Sequence, residues 1–256
     1  SDAALFVELS NAAVVHSNLG GLGPDFGAPP SLLLSNVGQI NGARIDLEVA
    51  NRTLYHVSAL EDSRASLIPQ SNGSLIRLGL LTPQAGEASV THVELRLTLL
   101  DGASGQPVRL SNAYLSFYDF DGARDAKLRE CIAAKGAAEA VLTGATSLEP
   151  VSASELLRDA PNAPYASSGY ATALCATEPG IGADNPTHPS ELSSSQRSRA
   201  VMYSFEEVSH VDVVFAVERR FVAAHECCSP KHSRYFLFGG YSSALVPACP
   251  KPPAPP

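Results

Sequence analysis

Apolar residues occupy every second position in several segments of the chain. Ile45, Leu47 and Val49 alternate with charged neighbours, and the pattern recurs at Ile76, Leu78 and Leu80, at Val93, Leu95, Leu97 and Leu99, and at Val211, Val213, Phe215 and Val217. A period of two is typical of antiparallel strands with one buried and one solvated face. Turn signals such as Asn41-Gly42 separate these segments. We therefore predict a mainly β fold, an antiparallel β-sandwich of jelly-roll-like character with short helical excursions.

The segment Ala113–Phe120 differs because aromatic residues fall on both of its faces. We expect a central strand that is covered on both sides. Helical pattern is scarce: Asp121–Gly136 could form a short helix, Ser152–Asp159 resembles a capped turn, and Pro189–Ala200 could begin a helix with proline in its first turn. We expect all three to be excursions between strands.

Composition bounds the domain organisation and excludes several functions. The chain has 256 residues, of which 45% are hydrophobic, enough for one large core. We expect residues 1–247 to form a single β-sandwich domain with long loops and residues 248–256 to form an extended, proline-rich tail or linker. The net charge of −8 leaves no basic stripe for nucleic acid. No apolar run approaches the ~20 residues needed for membrane insertion.

The chain contains five cysteines, and none has the spacing of a zinc site. Cys227 and Cys228 are adjacent, so we expect each to seek a separate partner. One consistent arrangement pairs Cys131 with Cys175 and Cys249 with either Cys227 or Cys228. The thiol left over is then a candidate for a bridge to another chain.

Two sequons, Asn51-Arg-Thr and Asn72-Gly-Ser, lie in polar, turn-like sequence where N-linked glycans can be carried. The chain begins at Ser1 and its one methionine is Met202, which favours a processed product or a fragment of a longer chain. Together with the cysteines, these features favour an oxidising compartment. We expect a secreted or cell-surface protein.

Carboxylates cluster after the aromatic strand. Asp119, Asp121 and Asp125 surround Gly122, and Glu130 lies just beyond. Hard oxygen ligands in a loop at a strand end are what Ca²⁺ prefers, although the spacing is not that of an EF-hand. The alternative is that the aspartates cap a turn and the following helix by accepting from backbone N–H groups.

Catalytic motifs are absent from the sequence: it has no GxSxG elbow, no HExxH and no phosphate-binding loop. His92 falls on the polar face of its strand, so we expect it to be solvated. We predict that the protein is not an enzyme. Tyr165, Tyr170 and Tyr241 lie in polar sequence and could be exposed for glycan or protein contacts, or could rim the core with solvated hydroxyls.

Several segments taken together carry a family resemblance. They are Gly42–Leu47, Thr53–Tyr55, Ser116–Asp121, Asp184–Leu192, Gln196–Val201 and Arg234–Gly240. This set resembles a group of large, mostly uncharacterised secreted β-sandwich proteins from marine protists and bacteria, over roughly positions 40 to 245. The resemblance implies an extracellular β-rich module with no assigned reaction. The chain departs from the pattern at Cys227 and Cys228, so cysteine-dependent features of the group need not carry over.

Two functional hypotheses follow. The first is a secreted glycoprotein that serves as a structural or adhesive subunit of an extracellular or cell-surface assembly, such as a filament or appendage. Its partners would be other protein chains, including copies of itself. The second is a calcium-dependent carbohydrate-binding module whose ligands are glycans, motivated by the carboxylate cluster and the tyrosines.

Overall fold

The fold is a two-sheet sandwich, which confirms the prediction of a mainly β, antiparallel architecture. A computed structural model describes residues 4–57, 66–67, 75–83, 88–124, 127–160, 169–180, 185–220 and 233–246. The proline-rich segment 248–256 lies outside these residues. No helix in the described part of the chain has the length and apolar character needed to cross a membrane.

Among the described residues, fifteen strands make up the two sheets. In chain order they are β1 (Ala4–Phe6), β2 (Ala13–Ser17), β3 (Ser31–Ile40), β4 (Ala43–Asn51), β5 (Ser66–Leu67), β6 (Ile76–Leu81), β7 (Val90–Asp101), β8 (Leu110–Tyr118), β9 (Leu128–Lys135), β10 (Glu139–Val141), β11 (Leu148–Ser152), β12 (Thr172–Ala176), β13 (Val201–Val208), β14 (His210–Arg219) and β15 (Ser233–Gly239). The helices in the described ranges are a 3-10 turn at Leu19–Gly21, α1 (Ala153–Leu156) and α2 (Ser194–Ser198).

Sheet A has the order β10-β13-β8-β15-β6-β5, and sheet B has the order β11-β12-β9-β14-β7-β4-β3-β2. The described pairings are antiparallel except that β1 lies parallel to β8 in sheet A. Strands β1 and β15 pair with successive parts of β8, β1 with residues 112–114 and β15 with residues 116–118. Tyr241 donates its backbone N–H to the carbonyl of Val7 at this junction. A Cβ atom on Gly240 would lie 1.6 Å from that carbonyl oxygen, so the junction requires glycine.

The main core lies between the sheets and follows the alternation in the sequence. The alternating apolar residues of β4, β6, β7 and β14 all enter it. Aromatic rings join the layers: Phe215 of sheet B lies 5.7 Å from Phe117 and 4.7 Å from Phe236 of sheet A, measured between ring centroids.

Each sheet is also partly covered on its outer face. Leu156 and Leu157, in and just after α1, pack with Cys131 and Cys175 on the outside of sheet B. On the outside of sheet A, Leu192 and Leu245 pack with Tyr118. This second layer confirms the prediction that β8, which holds Tyr118 and Phe117 on opposite faces, is central and covered on both sides.

The prediction of a helix over Asp121–Gly136 is wrong, because residues 128–135 form β9. Both of its faces are apolar: Ile132 points into the main core, and Cys131 points into the layer outside sheet B. A doubly covered strand does not alternate cleanly, and its apolar residues can mimic helical spacing. The other two excursions contain α1 and α2, and α2 begins with a capping box between Ser193 and Gln196.

Candidate functional site

Three of the four predicted calcium ligands meet at one end of the sandwich. Asp119 and Asp121 follow β8, Glu130 belongs to β9, and all three border a cavity of about 100 Å³. Asp125 lies outside the described residues. Asp119 adopts a φ of 66°, a left-handed conformation that Asp tolerates better than most residues. Asp119 and Asp121 flank the buried Phe120, and both line this cavity.

Arg234 also lines this cavity, and the sequence did not predict its role there. Its Nε donates to Oε1 of Glu130 at 2.5 Å, and its guanidinium also contacts the carboxylate of Asp121. Two hydrogen bonds from backbone N–H groups complete the cluster. The Asp121 N–H donates to Oε2 of Glu130, and the Glu130 N–H donates to the Asp121 carbonyl, both at 3.1 Å. We call Asp121, Glu130 and Arg234 the inter-sheet ion cluster, because it joins β15 of sheet A to β9 of sheet B.

Burial dominates the electrostatics of this cluster. It raises the pKa of Glu130 well above its ordinary value, an effect that the charge of Asp119 reinforces and Arg199 opposes. Burial also lowers the pKa of Arg234, while Asp119 acts in the opposite direction. Each group is costly to bury alone. The direct contact between the two groups offsets part of that cost at the edge of the core.

The cluster is arranged as an ion pair between sheets rather than as an open cation site. Among the residues that the structure describes, no three His, Cys, Asp or Glu side chains are placed to hold a metal. A cation entering between Asp121 and Glu130 would have to displace the Arg234 guanidinium. Calcium binding stays a prediction. The capping alternative is wrong in one respect, since no helix follows the aspartates.

A serine, a histidine and a carboxylate also meet on the outer face of sheet B. Ser31 donates from Oγ to Oε1 of Glu48 at 3.1 Å, and Nε2 of His16 lies 3.0 Å from the same hydroxyl. Because the only hydroxyl proton of Ser31 points to Glu48, the imidazole must donate. A catalytic serine instead donates to a histidine that the acid orients. This arrangement is a structural hydrogen-bond chain with the serine at its centre.

The predictions of a solvated His92 and of an exposed Tyr170 are both wrong. His92 is only 5% exposed, and neither ring nitrogen has a hydrogen-bond partner among the described residues. Tyr170 is buried, and its hydroxyl donates to Oε1 of Glu94 at 3.3 Å. Beside them, Arg96 makes two bonds of 2.8 Å to Asp212. Although burial opposes it, this pairing holds the pKa of Asp212 below its ordinary value.

The predicted disulfide between Cys131 and Cys175 is present and joins directly opposed residues of β9 and β12. Cys227, Cys228 and Cys249 lie outside the described residues. Of the sequons, Asn51 ends β4, is half-buried and donates from Nδ2 to the Thr53 carbonyl at 2.9 Å. Asn72 lies outside the described residues. N-glycosylation at both sites stays a prediction.

Exposed apolar side chains concentrate near one sheet edge. Strand β2 ends sheet B, and Val14 and Val15 are exposed on it, Val15 to 56%. Phe26, exposed to 68%, follows Asp25, which donates its backbone N–H to the carbonyl of Ser17 at the end of β2. We call Val14, Val15 and Phe26 the β2 surface.

The other described sheet edges carry features that oppose pairing. At the far edge of sheet B, β11 contains Glu149 and Pro150, and proline cannot donate to a ladder. In sheet A, β10 has three residues and begins with Glu139, and β5 has only two residues. Short, charged or proline-bearing edges resist the addition of further strands. The β2 edge is interrupted by a register shift at Val14–His16, and Asp25 blocks its end by bonding the N–H and the carbonyl of Ser17, but Ala13 to Val15 include no charged residue or proline.

Comparison with known proteins gives structural neighbours only. No family model matches the sequence, and no curated protein matches it. Among solved structures, the N-terminal domain of the Streptococcus gordonii adhesin Sgo0707 is 11% identical, with a TM-score of 0.46 over 90% of this chain and 50% of that chain. The Glucan Binding Protein C of Streptococcus mutans is 11% identical, with a TM-score of 0.45 over 88% of this chain and 62% of that one.

A third neighbour is the adhesin domain of PrgB from Enterococcus faecalis bound to DNA, which is 10% identical with a TM-score of 0.44. That match covers 83% of this chain and 67% of the other. The chain thus spans half to two-thirds of the length of these neighbours. At such identities and TM-scores the likeness carries no information about what this chain binds.

Proposed function

We propose that this chain is a secreted or cell-surface, non-catalytic subunit of an extracellular structural or adhesive assembly, and that copies of it associate edge to edge through β2. The observation that carries the proposal is the exposed, apolar β2 surface at the least protected described edge of either sheet. An unpaired strand edge is a template for another strand, and exposed apolar side chains beside it add to the affinity.

The disulfide supports the extracellular location. Cys131 and Cys175 lie buried on the outer face of sheet B beneath Leu156 and Leu157. Structural disulfides form and persist in oxidising compartments and are rare in the cytosol. Glycans at Asn51 and Asn72, and an intermolecular bridge from the leftover cysteine, would fit the same location.

Charge favours a second copy of the chain as the partner at β2. The segment from Leu9 to Pro24 contains no Asp, Glu, Lys or Arg, although the whole chain has a net charge of −8. Two β2 edges would meet through this uncharged segment, with Asp25 at its end, so the net negative charge of the chain would oppose pairing less there. Antiparallel pairing about a twofold axis would set the same surface against itself, as in most homodimers.

The free part of this edge is short. The register shift at Val14–His16 interrupts it, and Asp25 occupies its end by bonding both the N–H and the carbonyl of Ser17. A single contact of this size is weak, so we expect strong attachment only where many copies are displayed together.

The test is self-association of the disulfide-intact, glycosylated protein, measured by analytical ultracentrifugation over a range of concentrations. We expect a reversible dimer that Val15→Lys abolishes, because opposed lysines would repel across the pair. The matched control is Val246→Lys, since Val246 is also exposed but follows Leu245, which packs on the outside of sheet A. A wild-type protein that stays monomeric at millimolar concentration, or dimers unaffected by Val15→Lys, would contradict the proposal.

A further inference from the structure

Glu8 lines two neighbouring cavities. The first, of about 180 Å³, lies between the chain after β1, the segment around His188 and the end of β15. The second, of about 460 Å³, lies between Glu8 and the irregular part of β3. Neither includes a residue of the inter-sheet ion cluster or of the β2 surface.

The first cavity is held open by contacts among three distant segments. The Tyr241 N–H bonds the Val7 carbonyl, and the Ser242 hydroxyl contacts the Pro189 carbonyl. On the other side, Glu8 donates its backbone N–H to the Val37 carbonyl at 2.8 Å. These bonds fix the backbone around the cavity, so the cavity exists before any ligand enters.

The first cavity offers the groups that recognise a sugar ring. Tyr241 lines it and packs edge-on against Tyr114 at 5.9 Å. Glu8 accepts from Ser10 Oγ at 2.6 Å through Oε1, which leaves Oε2 for other donors. Nδ1 of His188 accepts from the Ser190 N–H at 3.2 Å, so a neutral imidazole carries its proton on Nε2.

The cavity therefore combines an aromatic ring, a carboxylate acceptor and an imidazole donor. An aromatic face suits the C–H surface of a pyranose, and the carboxylate and imidazole suit its hydroxyl groups. Its volume is well below the ~300 Å³ at which drug-sized pockets begin, which fits one ring. The charge of Glu8 disfavours acidic sugars.

The second cavity also offers hydrogen-bonding side chains that suit sugar hydroxyls. Glu8 is joined there by the amide side chains of Asn11, Asn36 and Gln39, together with Gly38. Amides both donate and accept, which matches the mixed character of sugar hydroxyls. This cavity is larger and has no aromatic wall, so it suits a second ring held by hydrogen bonds alone.

We propose that these two cavities form a calcium-independent binding site for neutral oligosaccharides, with one pyranose in the Tyr241 cavity and the next in the amide-lined cavity. The site is independent of association at β2. Either can fail without the other, since they share no residue.

The test uses isothermal titration calorimetry with methyl pyranosides of glucose, galactose and mannose and with maltose, cellobiose and lactose, after a glycan array to choose the best ligand. We expect at least one disaccharide to bind more tightly than its monosaccharide, and binding to persist in EDTA. Loss of binding in EDTA would overturn the proposal in favour of a metal-dependent site. Failure of all ligands to bind at millimolar concentration would also overturn it.

Single substitutions can test the contribution of each cavity to binding. Glu8→Gln should weaken binding of both ligand sizes roughly tenfold to a hundredfold, because hydrogen bonds to a charged acceptor are lost. Tyr241→Leu should abolish monosaccharide binding, whereas Tyr241→Phe should retain it. Gln39→Ala should reduce disaccharide affinity to that of the monosaccharide.

The matched control is Glu139→Gln, an exposed glutamate on β10, which should leave binding unchanged. Urea unfolding of each variant shows whether the fold is intact. If folded Glu8→Gln and Tyr241→Leu proteins bind as well as the wild type, the proposed site is wrong.

Discussion

Arg234 and Glu130, 104 residues apart in the chain, form a charged contact between the two sheets at the edge of the core. Glu130 is only 2% exposed, and the same guanidinium contacts the buried Asp121. Removing the arginine would leave two buried carboxylates without their counter-charge. We expect Arg234→Met to destabilise the protein by about 3–5 kcal/mol, measured as the free energy of unfolding in urea.

The matched control is Arg109→Met. Arg109 pairs with Glu207, but both side chains are well exposed, at 71% and 63%. An exposed pair is worth ~1 kcal/mol or less. Equal losses for the two variants would show that burial does not set the value of the inter-sheet ion cluster. The same two proteins, titrated with Ca²⁺, would show whether a cation can enter once Arg234 is gone.

His92 should make the protein sensitive to acid. Burial lowers its pKa to about 4, and the charge of His56 contributes in the same direction. The folded state thus binds a proton less readily than the unfolded chain, where the histidine pKa is about 6.5. The stabilisation is complete above about pH 6.5 and is lost as the pH falls toward 4, by roughly 3 kcal/mol at most.

We expect His92→Met to flatten this part of the stability curve, measured by urea unfolding between pH 7.5 and pH 4. His210→Gln, a change at an exposed histidine of β14, should leave the curve as in the wild type. A variant curve parallel to that of the wild type would mean that His92 is not the group responsible.

The Cys131–Cys175 disulfide closes a loop of 44 residues. A cross-link of that span restricts the unfolded chain by about 4 kcal/mol in the chain-entropy model. We expect the double variant Cys131→Ala, Cys175→Ala to lose roughly 2–4 kcal/mol of unfolding free energy. Peptide mapping without reduction should recover the two cysteines in one linked fragment, and recovery of either cysteine with another partner would refute the pairing.

Phe215 and Phe26 should respond in opposite ways to truncation. Phe215 is fully buried and packs edge-on against Phe117 and at a tilt against Phe236 and Phe238 in the core between the sheets. Phe215→Ala should therefore cost about 3–5 kcal/mol. Phe26 is mostly exposed, so Phe26→Ala should change stability by roughly 0.5 kcal/mol or less while weakening self-association. Calorimetric melting and sedimentation measure the two effects separately.

Period-two alternation was enough to predict the sandwich and the inward faces of β4, β6, β7 and β14. The reason is local: consecutive side chains of a strand point to opposite faces, so one buried face imposes its pattern on the sequence. Strand β9 lacks this clean alternation. Cys131 and Ile132 are buried on opposite sides, by α1 and by sheet A, and no neighbour in the sequence reveals either cover.

The carboxylates were recognised from their spacing, but their partner was not. Asp121 and Glu130 are nine residues apart in sequence. Arg234 is more than 100 residues away and reaches them only because β15 packs across from β9. His92 has the place of a surface histidine in its strand, yet it is buried. The Glu8 cavities likewise combine segments from both ends of the chain. Strand identity and facing follow from local periodicity, whereas burial, charge pairing and cavities arise from contacts between distant segments and exist only once the sheets have packed.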